Sequence, residues 1–369
     1  MTNKFYYANF ISLFHMEPAV KKLPFWAELK SLMGLVALPG FWKDRTDVNS
    51  YPLDFVPSEF PIPALDLSQA NFDIVLDEIM MEIAGPQKSI YVSWSGGIDS
   101  TALLAGLLKH RSANHQITVL LSKHSINENP YFFDKFIRPN FKICDINEFR
   151  ITPDSMEKDF VVLDGECGNQ LNGSTWIATH HLTNNTEVLD MSWRDLAPEK
   201  IVPGTPEQAR SWLSMVVPTL DLSPVEIKSV YDILWWANFC FKFQDVIYRK
   251  VPLYTTNLDR AQREKFFKHN LIRPFSDIRM QQWALNSLDQ RRECRHNDLK
   301  YFPKKYIFDV DKNPYYFREK TEEMSLYGSL ADISPVIAID SDWDLWDMRD
   351  AQKRKQFLDL VSHQAHLAG

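Results

Sequence analysis

The segment Ser89–Arg111, with the sequence SIYVSWSGGIDSTALLAGLLKHR, decides the fold. Its first six residues, SIYVSW, are rich in β-branched and aromatic side chains, which is typical of a buried strand. The glycine-containing turn SGGIDS follows at Ser95–Ser100. Four leucines then share one helical face: Leu103, Leu104, Leu107 and Leu108. The segment therefore predicts a strand, a tight turn and a helix.

Strands and helices also alternate on both sides of this segment. Apolar residues recur at helical spacing from Phe72 to Ile83, and Pro130–Ile137 reads as a second helix. Three further strands are predicted, at Gln116–Leu121, Phe141–Cys144 and Asp159–Leu163. Strands that alternate with helices indicate a parallel sheet with right-handed crossovers, so the predicted fold class is α/β.

The predicted organisation of the chain has three parts. Residues 1–65 are rich in proline and aromatic residues and form an N-terminal segment of unknown role. Residues 66–340 form the main domain, and residues 341–369 form a C-terminal tail. After about Pro203 the pattern is mostly helical, with a long helix at Pro224–Lys250 and another marked by Met280 and Leu288.

Composition excludes several classes of protein. The 41 Lys and Arg residues against 48 Asp and Glu residues give a net charge of −7, which argues against a nonspecific polyanion binder. No apolar stretch approaches the roughly 18 residues that cross a bilayer, and no secretory signal is recognisable, so we expect a cytoplasmic protein without a membrane partner. The four cysteines form no C-x-x-C pair, which excludes zinc-ribbon and thioredoxin-like sites.

The turn Ser95–Ser100 has the character of an anion site. Gly96 and Gly97 let the backbone turn sharply and approach a ligand closely. Exposed N–H groups at the start of the following helix favour a negatively charged group, which points to phosphate. The turn is not a Walker loop, because the pattern G-x-x-x-x-G-K-[ST] is absent.

The same turn resembles the SGG-x-D-S pyrophosphate loop of the N-type ATP pyrophosphatases, which cleave ATP between the α and β phosphates. The resemblance implies that the loop holds the pyrophosphate through Ser95, Gly96, Gly97 and Ser100. It also implies that Asp99 helps to bind Mg²⁺, so ATP and Mg²⁺ are the expected cofactors.

Two further blocks narrow the resemblance to the asparagine synthetase-like family. The segment Val162–Ser174, VLDGECGNQLNGS, is similar to the family block V-L-S-G-E-G-A-D-E-L-F-G-G. The segment Arg273–Asp277, RPFSD, is similar to R-V-P-F-L-D. The family resemblance implies a parallel sheet of the adenine-nucleotide α-hydrolase type, a C-terminal helical region and a nucleotide contact at Gly165.

The resemblance also implies residues that act at the acyl centre. Glu166 matches a family glutamate that accepts a proton from the attacking amine. A late lysine of the family stabilises charge on the acyl-adenylate. Lys312, in the segment DKNPYYF, and Lys304 are the candidates for that lysine.

The chain departs from the family pattern at the metal site. Asn169 and Gln170 stand where the family has Asp and Glu, so the second metal-binding carboxylate is missing. Asp99 alone is enough for Mg²⁺ that is also held by substrate phosphates. Asp164, where the family has Ser, is an alternative source of a carboxylate.

The predicted reaction is ATP-dependent amide formation from a small-molecule carboxylate and an amine. The glutaminase domain of related enzymes has a nucleophilic Cys after the initiator Met, and here that residue is Thr2. We therefore expect the amine to be free ammonia, an amine delivered by a partner protein, or an amino group of the substrate. An ATP pyrophosphatase that modifies a nucleotide or RNA, and a noncatalytic ATP-binding subunit, remain open alternatives.

A basic run from Arg291 to Lys305 bears on the nucleic-acid alternative. Such a run is more often a solvent-exposed helix face than a phosphate-binding surface. We therefore do not expect nucleic acid as a partner.

Overall fold

The computed structural model describes residues 5–8, 44–49, 60–85, 88–112, 116–173, 175–202, 204–248, 254–255, 258–294, 299–318, 336–339 and 344–347. The chain divides into two compact units, each built from separate segments. We call the first the helical unit, which comprises Met1–Ile62, Glu187–Thr256 and Asp332–Gly369. We call the second the sheet unit, which comprises Pro63–Thr186 and Asn257–Ala331.

This division differs from the boundaries that the sequence predicts. Glu187–Thr256 groups with the two ends of the chain, whereas the sequence analysis assigns it to the main domain. Linkers are recognised in a sequence by a change of composition. A segment that leaves one unit and later returns to it produces no such change, because both units are rich in apolar helices.

The strands are β1 (Phe5–Ala8), β2 (Ser89–Ser93), β3 (Ile117–Leu121), β4 (Lys142–Asp145), β5 (Phe160–Leu163), β6 (Leu271–Ile272), β7 (Val336–Ile339) and β8 (Asp344–Asp347). The α-helices up to the end of the first sheet-unit segment are α1 (Phe72–Ala84), α2 (Ile98–His110), α3 (Lys123–Glu128), α4 (Pro130–Phe132), α5 (Gly168–Asn172) and α6 (Thr175–Leu182). The later ones are α7 (Pro198–Ile201), α8 (Pro206–Val216), α9 (Val230–Ala237), α10 (Phe243–Tyr248), α11 (Arg260–Lys265), α12 (Ile278–Asn286), α13 (Leu288–Cys294), α14 (Tyr301–Asp311) and α15 (Tyr315–Arg318). Turns of π-helix lie at Phe133–Ile137, Asn238–Lys242 and Phe266–Asn270.

A five-stranded parallel sheet organises the sheet unit, in the order β4-β3-β2-β5-β6. The prediction of an α/β fold with a parallel sheet is confirmed. From β2 the chain adds β3 and β4 on one side and then returns to place β5 on the other side of β2. The carboxyl ends of β2 and β5 therefore flank the point where the strand order reverses, which is where open α/β sheets bind ligands.

The central strand and the helix that follows it are buried because of their apolar residues. Ile90 and Val92 of β2 are almost fully buried, as are three leucines of α2: Leu103, Leu104 and Leu107. The adjacent helix α1 begins at Phe72, where the Asn71 side chain accepts hydrogen bonds from the first turn.

One predicted helix begins later than the sequence suggests. The helical turns predicted for Pro224–Lys250 start at Val230 and are described as far as Tyr248. Ser229 caps them, since its hydroxyl accepts from Asp232 N at 3.2 Å and the Asp232 carboxylate accepts from Ser229 N at 2.9 Å. The two-residue strand β6 is not predicted at all, because a strand of that length has no periodicity to detect.

The helical unit contains a small antiparallel sheet in the order β1-β7-β8. The core of the helical unit includes Trp212, Trp235 and Trp236, which are fully buried. Within the described part of the chain, no helix combines the length and apolar character needed to cross a membrane.

Candidate functional site

The turn Ser95–Ser100 joins β2 to α2 and is closed by its own hydrogen bonds. Gly97 N donates to Ser95 Oγ at 3.1 Å, and Ser95 N donates to Ser100 Oγ at 3.1 Å. The two hydroxyl oxygens lie 3.0 Å apart. A phosphate group would offer the same donors a charged acceptor, and hydrogen bonds to charged acceptors are about twice as strong as neutral ones.

Gly96 is required by the backbone of this turn. Its φ of +81° lies in the region that residues with a side chain rarely adopt. A Cβ at this position would lie 2.5 Å from Ser125 O and 2.5 Å from Glu128 Cβ, both of which belong to α3. Gly97 is the N-cap of α2 and has no side chain to cap it, and the positive end of a helix favours negatively charged groups.

The second motif follows β5 and packs directly on the first. A Cβ at Gly165 would lie 2.8 Å from Ser100 N, and a Cβ at Gly168 would lie 2.3 Å from Asp99 Cγ. Both glycines are therefore needed for the two loops to approach this closely. The structure brings together the predicted residues Asp99, Ser100 and Gly165 at the carboxyl ends of β2 and β5.

The other polar residues of the second loop differ in exposure. Asp164 is 1% exposed, and its carboxylate accepts from Glu166 N at 3.0 Å. Glu166 is half-buried in the same loop. Asn169 and Gln170 lie in α5, where the Gln170 side chain is buried. Asp164 thus braces the loop that carries Glu166.

Lys300 is a site residue that sequence reasoning missed. Its Nζ lies 2.6 Å from Asp99 Oδ2, and the two side chains are only 11% and 17% exposed. Lys300 has a φ of +57° and stands immediately before α14, so the end of that helix directs the lysine to the turn. The sequence offers no local signal for this contact, because Lys300 occurs within the basic run.

The two lysines that the sequence analysis proposes differ in exposure. Lys312 follows the opposite end of α14, is exposed, and has its Nζ 5.9 Å from the centre of the Phe308 ring. Lys304 is 1% exposed. Lys300 is in direct contact with Asp99.

The third block places a buried charge beside the second loop. Arg273 follows β6, the neighbour of β5, and is 6% exposed. Its guanidinium carbon lies 5.0 Å from the centre of the Phe267 ring. Nε and Nη2 of Arg273 have no hydrogen-bond partner among the described residues. An uncompensated buried charge is costly, so this position suits an anionic ligand group.

The donor set at Asp99 is compatible with Mg²⁺ that arrives with a phosphate substrate. In the described residues, no group of three or more His, Cys, Asp and Glu side chains is arranged to hold a metal ion. Mg²⁺ does not require such a group, since it is bound through one or two carboxylates together with substrate phosphates. Asp99 provides one carboxylate in the turn Ser95–Ser100, and Lys300 lies against it.

The described residues of the basic run do not form the solvent-exposed face that the sequence suggests. Arg291 is buried, and its Nε donates to Ser287 Oγ at 3.2 Å. Lys305 Nζ lies 2.9 Å from Asp73 Oδ2 and 2.7 Å from an Asp309 oxygen. Arg295 and His296 lie outside the described residues. Among the described cations of the run, Lys300 and Lys305 are paired with acids, and Arg291 is buried.

The sequence matches no known family model, and no curated protein matches it. The resemblance to the asparagine synthetase-like family therefore depends on the three sequence blocks alone.

Proposed function

We propose that the chain is an AMP-forming amide ligase of the asparagine synthetase-like kind. It adenylates a substrate carboxylate with ATP and then transfers the acyl group to ammonia or an amine. One observation carries the proposal: the loops of Ser95–Ser100 and Asp164–Gly168 touch each other at the carboxyl ends of β2 and β5. That position is where open α/β sheets bind ligands.

The first loop would bind the pyrophosphate end of ATP. In the first step, a carboxylate oxygen attacks the α-phosphorus, a new P–O bond forms, and the bond to the bridging oxygen of the β-phosphate breaks. The N–H of Gly97 and the hydroxyls of Ser95 and Ser100 donate to the departing pyrophosphate, and the positive end of α2 favours its charge. When bound, Mg²⁺ neutralises further charge on the pyrophosphate, with Asp99 as its protein ligand.

We assign the role of the late family lysine to Lys300. Its Nζ lies at the turn Ser95–Ser100, 2.6 Å from Asp99 Oδ2. A positive charge held in a largely buried site stabilises the negative charge that develops in the transition state. Lys312, which is exposed at the far end of α14, becomes the control residue.

The second loop would serve the acyl centre. In the second step, the amine attacks the acyl carbon, a C–N bond forms, and AMP leaves. Glu166, whose backbone N–H is held by Asp164, accepts the proton that the amine loses. The substrates expected are a small-molecule carboxylate and either ammonia or an amine.

The test is the release of AMP and pyrophosphate from Mg-ATP in the presence of a small-molecule cell extract or a panel of carboxylates with ammonium. Asp99→Ala should abolish the release. Lys300→Ala should lower its rate by about 100- to 1,000-fold, the usual effect of removing a group that stabilises the transition state. Lys312→Ala should leave the rate unchanged. Formation of ADP and phosphate would contradict the proposal.

A noncatalytic ATP-binding protein is the second candidate. The neutral side chains of Asn169 and Gln170 favour it, because each replaces an acid of the family block. Tight ATP binding without pyrophosphate release on any substrate would select this function. Release that requires RNA and declines steeply with salt would instead select a nucleic-acid-modifying enzyme.

A further inference from the structure

Three buried hydrogen bonds follow one another and end on the turn Ser95–Ser100. Trp94 Nε1 donates to Thr101 Oγ1 at 2.9 Å, Thr101 Oγ1 lies 2.7 Å from the Tyr316 hydroxyl, and that hydroxyl donates to Gly96 O at 2.6 Å. Trp94, Thr101 and Tyr316 are at most 2% exposed. Tyr316 belongs to α15, which follows the loop by more than two hundred residues.

The donor and the acceptor of each of these three hydrogen bonds follow from the chemical groups at the two ends. An indole N–H only donates and a carbonyl oxygen only accepts. The single proton of Tyr316 therefore goes to Gly96 O, and the proton between the two hydroxyls belongs to Thr101. Burial raises the pKa of the Tyr316 hydroxyl far above its ordinary value, so this proton is retained. The three hydrogen bonds consequently have one stable set of donors and acceptors.

The peptide that accepts the last bond makes one other hydrogen bond in the described residues, from Gly97 N to Ser95 Oγ. It joins Gly96 to Gly97, and neither residue has a side chain to restrict the flanking dihedral angles. In a trans peptide the C=O and the N–H point in opposite directions. Holding the Gly96 carbonyl on Tyr316 therefore fixes the Gly97 N–H on the other side, where it donates to Ser95 Oγ at 3.1 Å.

We infer that Trp94, Thr101 and Tyr316 form a relay that locks the Gly96–Gly97 peptide, so that Gly97 N–H is preoriented for a phosphate oxygen. Tyr316 is thus a positioning residue for the anion-binding loop. The inference rests on the proposed function, because it assumes that the loop binds pyrophosphate. Locking the peptide before binding lowers the ordering cost that binding would otherwise include.

The test measures binding of inorganic pyrophosphate with Mg²⁺ by calorimetry, and it does not require the substrate to be known. Tyr316→Phe and Thr101→Val each remove one hydroxyl and keep the shape of the side chain. Each should weaken binding about three- to tenfold, the range that follows from the net contribution of one hydrogen bond. Thr101→Ser keeps the hydroxyl and should restore the wild-type affinity. The double variant should bind no more weakly than either single variant, because both break the same chain.

Tyr306→Phe is the matched control for a loss of stability. Tyr306 is 1% exposed, and its hydroxyl lies 2.5 Å from Asp77 Oδ1, so this variant also loses a hydrogen bond of a buried tyrosine. It should lower the melting temperature without changing the affinity for pyrophosphate. Equal affinities of folded Tyr316→Phe and wild type would overturn the inference.

A second readout separates this inference from the proposed function. Hydrogen exchange of the peptide that covers residues 94–101 should be faster in Tyr316→Phe than in wild type, with no ligand present. A wild type that binds neither ATP nor pyrophosphate would contradict the proposed function, while faster exchange would still support the relay. Unchanged exchange in folded Tyr316→Phe would rule out the relay whatever the loop binds.

Discussion

Gly168 lacks a side chain, and the space that a side chain would need is occupied by Asp99. A Cβ there would lie 2.3 Å from Asp99 Cγ and 2.4 Å from Oδ1. Gly168→Ala must therefore displace the carboxylate that pairs with Lys300. We expect pyrophosphate release to fall about 100-fold, the scale of a displacement of about 1 Å at a reacting centre. We also expect a loss of about 1 to 3 kcal/mol in the free energy of unfolding.

Gly173→Ala is the control for Gly168→Ala. Gly173 is five residues away, and apart from its chain neighbours no heavy atom of the described residues lies within 4 Å of the position that its Cβ would take. Its φ of 177° is extended backbone that any residue adopts. The same substitution should therefore leave both activity and stability unchanged. A comparable loss of activity at the two positions would show that any added methyl group in this loop is harmful and that contact with Asp99 is not the cause.

A substitution of Arg273 is expected to raise the free energy of unfolding, whereas Gly168→Ala is expected to lower it. Its Nε and Nη2 have no hydrogen-bond partner among the described residues, although the side chain is 6% exposed. Replacing an uncompensated buried charge with an apolar side chain of similar length removes a desolvation penalty. Arg273→Met should raise the free energy of unfolding of the ligand-free protein by about 1 kcal/mol, as measured by urea denaturation.

The comparison for Arg273→Met is Arg279→Met. Arg279 makes bidentate contacts to Glu82 at 2.6 and 2.8 Å, and it also pairs with Asp277. The hydrogen bonds that Arg279 donates to the carboxylates of Glu82 and Asp277 raise its pKa. Its loss should lower the free energy of unfolding. A decrease for Arg273→Met as large as that for Arg279→Met would mean that Arg273 is stabilised in the ligand-free protein.

At the scale of elements, one carboxylate links three helices of the sheet unit. Asp77 of α1 accepts from Lys109 at 2.5 Å and from the Tyr306 hydroxyl at 2.5 Å, and it lies 2.8 Å from His110 Nε2. Lys109 and His110 end α2, and Tyr306 belongs to α14. Burial raises the pKa of Asp77, but the hydrogen bonds from Lys109, Tyr306 and His110 outweigh it, so the pKa lies below its ordinary value.

The lowered pKa of Asp77 fixes the sign of a pH effect. The ionised form is favoured in the folded state, so its contribution is complete above the unfolded pKa of about 4 and is lost as the pH falls below it. Asp77→Asn should lower the free energy of unfolding at pH 7 by about 1 to 3 kcal/mol. The free energy of unfolding of this variant should also decrease less steeply than that of the wild type as the pH falls below about 4. Asp134→Asn removes an exposed i,i+4 pair with Arg138 and should change stability by less than about 0.5 kcal/mol.

Local elements of this fold could be predicted from the sequence, whereas contacts between distant elements could not. The strand at Ser89–Ser93 and the helix at Ile98–His110 follow from residues that are close in sequence, because periodicity and glycine turns are local signals. Lys300 and Tyr316 reach the loop across separations of 201 and 220 residues. No pattern in a single sequence encodes such a pairing, so the contact of Lys300 with Asp99 could not be predicted from the sequence.

At the scale of the whole molecule, the candidate site is assembled from two segments of the chain. The loops at Ser95–Ser100 and Asp164–Gly168 belong to Pro63–Thr186, and Lys300 belongs to Asn257–Ala331. The residues between these segments belong to the helical unit. A ligand at this site should therefore stabilise peptides from both segments, although they are distant in sequence.

Hydrogen exchange with and without Mg-ATP tests this assembly. A ligand at 100 times its dissociation constant adds about 2.7 kcal/mol to the state that binds it. Exchange should slow in the peptides that cover residues 94–101, 163–169 and 299–301, because local openings that break the site then also cost the binding energy. Protection in the first two peptides without the third would remove Lys300 from the site, since a lysine that does not meet the nucleotide gains nothing from its binding. Protection of α8 or α9 alone would place the nucleotide in the helical unit and contradict the proposed site.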